Sequence, residues 1–385
     1  MSFKNKLYLS SILFSGIMLS IANPSQAIET KAKNLILMDY DTGQYLYTKD
    51  IEKMIPPASM SKLMTIYMIF EKLKNGSLSL DDTFTVSENA WRKGGAASGS
   101  STMFLNIGEK VRVEDLIKGI VIQSGNDACI VAAENISGSE EDFAKAMNEK
   151  AQKLGMYNSS FANATGWPHP DQRMSVEDLG KLARIIIKQF PEYYYIFSEK
   201  NFIHNKIKQG NRNPLLYSMP EADGLKTGHT EEAGFCLTGS AKRGNRRLIS
   251  VMSGLSSNKE RSDEAEKIMN WGFREFDNYS ILKQGQKIVE LPVWLGMDKK
   301  VDLLINQDIL RTIKKSKVSK VKLTAIYDKP VKAPIKQGDK LGFVRVEVPG
   351  ADTVEVPLIA NKEVKKLGWF GRIGENIKYL LFGAK

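Results

Sequence analysis

Ser59 and Lys62, in "PPASMSKLMTIYMIF" over residues 56–70, set a hydroxyl and an amine three positions apart at the head of an apolar segment. From Leu63 to Phe70 only Thr65 is polar, so no face of this stretch is made for water and the pattern predicts a buried helix. A buried ammonium is costly, and it must be paired or give up its proton readily. Residues i and i+3 share one helix face, so a neutral Lys62 can take the hydroxyl proton of Ser59 and turn that oxygen into a nucleophile. The competing reading makes Ser59 a helix N-cap and lets Lys62 reach solvent on its long stem. The SxxK pattern recurs at Ser256, Ser280 and Ser319, so spacing alone does not choose between the two.

The remaining polar clusters narrow the choice. The three histidines, His169, His204 and His229, show no HExxH or other metal spacing, no GxSxG elbow is present, and "KGGAASGSS" lacks the order of a phosphate loop. Metal and organic cofactors are therefore not expected. What remains is "SGN" (Ser124 to Asn126) at a break between two helical patterns, and "KTG" (Lys226 to Gly228) leading into the strand-like "GFCLTGS". SxxK, SxN and KTG in this order are the motif set of penicillin-binding proteins and serine β-lactamases. KTG occurs once, and the one SxxK on an apolar helix precedes the one SxN that lies between helices.

The chain resembles the low-molecular-mass penicillin-binding proteins that act as D-alanyl-D-alanine carboxypeptidases. The likeness is carried by "PPASMSKLMT", "GSSTMFL", "IQSGNDACI", "NATG", "DGLKTGHTEEAGFCL", "RRLISV" and "WGFREF". It implies an α/β (α+β) domain of the serine β-lactamase type, an antiparallel sheet covered by helices. It also implies Ser59 as the acyl-accepting nucleophile, Lys62 as its base, and Ser124 as the group that hands a proton to the departing D-alanine. Asn126 would place the peptide amide, and Lys226, Thr227 and Gly228 would align the substrate as an added strand. The backbone N–H near His229 would join that of Ser59 as an oxyanion hole, and Arg261 would face the terminal carboxylate of the substrate. Lys62 and Lys226 in one cleft would repel, which favours a neutral amine. The implied partners are the pentapeptide of peptidoglycan and β-lactam inhibitors. Each residue also has a plainer role available: a helix cap for Ser124 or Asn126, a turn for Thr227 and Gly228, a surface histidine, an Arg261 paired with Glu260 or Asp263.

Two rivals stay open at this level. A β-lactamase-like hydrolase shares the three motifs, but the Glu-x-x-x-Asn pair commonly used for fast deacylation is missing between Asn126 and Lys226. A non-catalytic, membrane-tethered peptidoglycan-binding protein is the other, and intact Ser59 and Lys62 argue against it.

The elements that must position these residues follow from periodicity. "NLILMDYDTGQYLYTKD" reads as a hairpin about Asp41-Thr42-Gly43, and helical patterns dominate from Val113 to Phe190. After Gly224 the period returns to two, with "GFCLTGSA" and "RRLISVMSGL" flanking the turn "KRGN", and "SDEAEKIMNWGFREF" closes the region as a helix. Strands from both ends of one domain then share a sheet covered by helices. Short strands with turn signals from Ile281 onward predict a small all-β domain without catalytic residues.

The ends of the chain speak to location. Lys4 and Lys6 precede the apolar run "LYLSSILFSGIMLSIA" and the small residues of "NPSQA", an export signal with cleavage after Ala27. The expected organisation is a signal peptide at 1–27, the carboxypeptidase-like domain at 28–278, the all-β domain at 279–361 and a terminal helix at 362–385. In that helix Trp369, Phe370, Ile373, Ile377, Leu380 and Leu381 fall on one face, with Lys365 and Lys366 as a basic flank. Such a helix is too polar to span a bilayer but suits an anionic membrane surface, here the periplasmic face of the inner membrane. The formal charge of +11, still +9 without residues 1–27, then meets anionic lipid and wall polymer rather than nucleic acid. Cys129 and Cys236 lie far apart in apolar stretches and read as buried thiols.

Overall fold

The stretch "NLILMD" shows no alternation, and in the computed structural model of the chain all six of its residues are buried in a strand, Asn34–Asp39. A strand of that kind needs cover on both faces. The structure describes residues 4–8, 28–371 and 373–374. These form two compact units, one within residues 26–274 and the other made of residues 275–374 with the strand Lys4–Tyr8.

The first unit is built on five strands, Asn34–Asp39 (β1), Tyr45–Lys49 (β2), Ala222–Thr230 (β3), Gly234–Arg243 (β4) and Arg246–Leu255 (β5). They pair in the order β3-β4-β5-β1-β2, and every pair is antiparallel. The two ends of the domain thus meet where β5 lies beside β1, with Val251 opposite Ile36. Between β2 and β3 the chain forms the helical block, which includes Lys62–Lys74 (α1), Asn126–Ser137 (α2), Glu140–Lys153 (α3) and Val176–Gln189 (α4). A last helix, Asn258–Glu275 (α5), follows β5.

Local signals explain the helices and their seats. Ser175 caps α4 by accepting from the N–H of Asp178, and Glu177 and Asp178 in the first turn complement the helix dipole. Its apolar stripe, Leu179, Leu182, Ala183 and Ile186, is completely buried, each of the larger side chains contributing about 2 kcal/mol of burial. Gly180 lets this helix sit directly on the sheet, since a Cβ there would lie 3.3 Å from Met38 Sδ and 3.5 Å from Ile36 Cγ2. On the opposite face a Cβ at Gly272 of α5 would lie 2.7 Å from Leu37. Ile36 and Met38 therefore face α4 and Leu37 faces α5, which is why β1 carries no polar alternation.

The helix α1 runs through the interior as its sequence predicted, with every residue from Lys62 to Phe70 buried. Both cysteines are free and buried.

The second unit is a β structure. Its main sheet orders the strands 4–8, 322–328, 340–347, 354–360, 300–305, 287–294 and 331–332, and the strands 276–282 and 309–314 form a separate pair. Alternation returns here: along Lys300–Ile305 the residues Val301, Leu303 and Ile305 are buried, and they pack with Leu291, Val344, Val356 and Leu358. Of the predicted export signal, only residues 4–8 lie within the described residues, antiparallel to 322–328. Of the helix predicted over 362–385, residues 362–368 are not helical: Val364 and Lys366 bridge antiparallel to Ile335 and Gly296, and Val364 is buried there, so the helix starts later than predicted. Residues 369–371 and 373–374 are helical, and residues 372 and 375–385 lie outside the described residues. Among the described residues no helix is long and apolar enough to cross a membrane.

Candidate active site

Ser59 sits in a 3₁₀ turn, Ala58–Ser61, and the α-helix begins at Lys62. Three residues make one full 3₁₀ turn, so the hydroxyl and the amine stand one above the other. Neither Ser59 nor Ser61 caps the helix through its side chain, which removes the N-cap reading of Ser59. The turn is tight. Ala58 adopts φ +48°, a left-handed conformation costly for any residue with a Cβ. Its carbonyl presses on Gly166, where a Cβ would come within 2.0 Å of the Ala58 oxygen, and Gly166 itself has φ +80°. Only glycine fits at position 166.

Lys62 is fully buried. Its Nζ lies 2.9 Å from Ser59 Oγ, 2.7 Å from Asn126 Oδ1 and 2.5 Å from the Thr165 carbonyl oxygen. Asn126 and Thr165 offer oxygens with no proton to give. A neutral amine spends its two N–H bonds on those two and directs its lone pair at the Ser59 hydroxyl. Burial brings the Lys62 pKa down to about 8, and the Arg212 guanidinium pushes the same way against the nearby Asp127 and Glu140. The sequence offered two causes, burial of Lys62 and repulsion from Lys226; for Lys62 the larger cause is the loss of water.

Lys226 is lowered well below the ordinary lysine value, first by burial and then by Lys62, Arg212 and Arg261. Its Nζ donates to Ser124 Oγ at 2.9 Å. Ser124 holds φ +66° at the end of the short turn before α2, and this left-handed residue aims its hydroxyl across to β3. Ser124 and Asn126 do not cap α2, whose N-cap is Gly125.

The strand β3 is the edge of the sheet, and its Gly228 packs against the Ser59 turn, where a Cβ would lie 3.0 Å from the Pro57 oxygen. Thr227, Gly228 and His229 line a cleft of about 790 Å³ together with Ser59, Ser124 and Arg261. His229 is exposed on the cleft and lies 4.0 Å from the Phe235 ring, centroid to centroid. Arg261 is buried, and it donates to the carbonyls of Gly228 and Cys236 and to Asn258 Oδ1. It makes no ion pair with Glu260 or Asp263, its Nε has no partner among the described residues, and burial lowers its pKa to about 10. A buried guanidinium without a carboxylate is a ready receptor for one. All nine residues singled out from the sequence thus converge on one cleft and the wall behind it.

Other contributors were given no role from the sequence, although Asn163 and Thr165 lie in "NATG" and Asp127 in "IQSGNDACI". The Thr165 carbonyl is a backbone group. It is held in place by Asn163, whose Oδ1 accepts from the N–H groups of Thr165, Gly166 and Trp167. Gln172 ties the same loop to the Ser59 turn, accepting from Ala162 N–H and donating to Ser61 Oγ. Arg212 opens on the cleft and donates to Ser101 Oγ at 2.6 Å. Asp127 reads as an acidic residue in the first turn of a helix, yet it is buried and accepts from Thr102 Oγ1 and the N–H groups of Met103, Leu105 and Ala128. It fastens the 102–105 strip beside the Ser124 turn.

Residues 21–257 match the family model described as D-alanyl-D-alanine carboxypeptidase, and residues 276–366 match the penicillin-binding protein 5 C-terminal domain. The chain is 38% identical to the D-alanyl-D-alanine carboxypeptidase DacC of Escherichia coli over 364 residues, 94% of this chain and 91% of that protein. It is 39% identical over 345 residues to DacA of Haemophilus influenzae, 89% of this chain and 87% of that one. Among solved structures, penicillin-binding protein 5 from Haemophilus influenzae covers 88% of this chain and 99% of its own at 37% identity, with a TM-score of 0.77. The carboxypeptidase DacD from Francisella tularensis covers 91% and 98% at 30% identity and a TM-score of 0.79.

Proposed function

The chain belongs to the D-alanyl-D-alanine carboxypeptidase family, and we propose that Ser59 is the nucleophile through which it removes the terminal D-alanine from peptidoglycan pentapeptides. The observation that carries this reading is the set of three partners around Lys62 Nζ. The Ser59 proton passes to Lys62 as Oγ attacks the carbonyl carbon of the penultimate D-alanine. The backbone N–H groups of Ser59 and His229 take the resulting oxyanion. Collapse breaks the peptide bond, and the leaving amine is protonated through Ser124, which Lys226 holds in place. Water then attacks the ester, releasing the shortened peptide and restoring Ser59.

The substrate adds to the free edge of β3 through Lys226, Thr227 and Gly228, with Asn126 at its amide and Arg261 at its terminal carboxylate. A β-lactam presents its ring carbonyl where the scissile carbonyl would lie, and attack by the same oxygen breaks the ring C–N bond and leaves the opened drug esterified to Ser59. Intact-protein mass spectrometry with penicillin tests the assignment, together with D-alanine release from a pentapeptide. Wild type gains one penicillin mass and Ser59→Ala gains none; an adduct on both proteins, or D-alanine release without Ser59, defeats it.

The same reading assigns residues 1–27 to an export signal, 28–278 to the catalytic domain, 279–361 to the β-domain and 362–385 to a peripheral anchor on the periplasmic face of the inner membrane. Trp369 and Phe370, 64% and 81% exposed, support the anchor. Deleting residues 363–385 should release the protein from vesicles containing anionic lipid, and unchanged sedimentation with them would refute it.

A further inference from the structure

The segment that leads into Ser59 and the β3–β4 turn wall two cavities. Ser59, His229 and Phe235 face the catalytic cleft, while Ile55, Pro56, Glu232 and Ala233 face a second cavity of about 680 Å³. Four cations line this second space, Lys33, Lys49, Lys53 and Arg173, against two carboxylates, Asp50 and Glu232. Arg173 and Glu232 neutralise each other at 3.2 Å, and the Lys49 ammonium donates to the Ala32 carbonyl at 2.7 Å. Among the described residues Lys33 and Lys53 have no ion-pair partner. The Lys33 stem lies across Gly254, where a Cβ would come within 2.7 Å of it, so glycine at 254 lets the lysine reach the cavity edge.

The position of the cavity matters as much as its charge. A peptide added antiparallel to β3, its C-terminal residue beside Lys226 and Thr227, runs upstream past His229 toward the turn at 231–233. At about 3.3 Å per extended residue, a peptide that follows β3 passes His229 and Thr230 and within two or three further residues comes level with the 231–233 turn, whose Glu232 and Ala233 line the second cavity. The upstream part of the substrate is thereby delivered to the mouth of the second cavity.

We propose that this cavity is a subsite for a carboxylate carried two or three residues before the scissile bond, with Lys33 and Lys53 as its cations. The proposal rests on the reading of β3 as the strand that binds substrate. It is tested with capped peptides ending in D-Ala-D-Ala that carry either glutamate or glutamine at those upstream positions, and with a short capped peptide that ends before them. Wild type should show a KM about fivefold lower for the glutamate peptide at low ionic strength, the advantage fading as salt is added, because exposed charge pairs are weak and screened. Lys33→Gln/Lys53→Gln should bring the ratio to one with kcat, turnover of the short peptide and penicillin acylation unchanged. Equal KM values in wild type, or a preference that survives in the double variant, overturns the subsite. Failure of wild type to release D-alanine from any of the three peptides overturns the carboxypeptidase reading and the subsite with it.

Discussion

If Lys62 must be neutral to accept the Ser59 proton, acylation has to follow its titration. A fully buried amine with a pKa of about 8 is neutral in about 10% of molecules at pH 7 and about 1% at pH 6. The second-order rate constant for penicillin acylation reports the free enzyme. It should therefore climb about tenfold from pH 6 to pH 7, severalfold more to pH 8, and level off near pH 9. Stopped-flow or quenched mass spectrometry across this range measures it. Arg212 lowers the Lys62 pKa through its charge, so Arg212→Gln should move the rising limb toward alkaline pH. A rate that is flat between pH 6 and 9, or a limb displaced toward acid in Arg212→Gln, would refute the base assignment.

Two further substitutions probe the same construction. Lys62→Met should abolish acylation while leaving stability at pH 7 nearly unchanged. Relief of the buried charge, roughly 3 kcal/mol for a fall from 10.5 to about 8, is offset by the bare oxygens of Asn126 and Thr165, about 1 kcal/mol or more each; thermal unfolding decides. The sign of the pH dependence follows from the same shift: the unfolded chain holds the Lys62 proton that the fold has released between pH 8 and 10.5, so this lysine lends wild type stability as pH rises through that window, and Lys62→Met loses that slope. Gly166→Ala forces a Cβ onto the Ala58 carbonyl at a positive φ and should cost about 2 kcal/mol or more with slower acylation; an unchanged melting temperature and rate would contradict the tight seat of the Ser59 turn.

Much of this arrangement was legible before any coordinates. The apolar surround of Lys62 announced burial, and the return to a period of two after Gly224 announced strands that join β1 in one sheet. The order of SxxK, SxN and KTG announced which segments meet. What stayed hidden has a common cause. Thr165 acts through its carbonyl, which no side-chain pattern reports. Arg212 is a lone cation in a polar loop, indistinguishable in sequence from a solvated one. Asp127 looks like a first-turn acid favoured by the helix dipole, and only the packing of the 102–105 strip onto it reveals a buried clamp. The 3₁₀ turn at Ser59 was also unreadable, because an i to i+3 spacing fits a 3₁₀ turn and an α-helix alike.

The reacting groups come from segments far apart in the chain: the Lys62 to Asn126 contact spans 64 residues and the Lys226 to Ser124 contact spans 102. A truncated polypeptide ending before β3 would own the hydroxyl and its base yet lack the edge on which a substrate or a drug could be laid. Covalent labelling by a β-lactam therefore doubles as a reporter of complete maturation, scoring only molecules whose first and last strands have found each other.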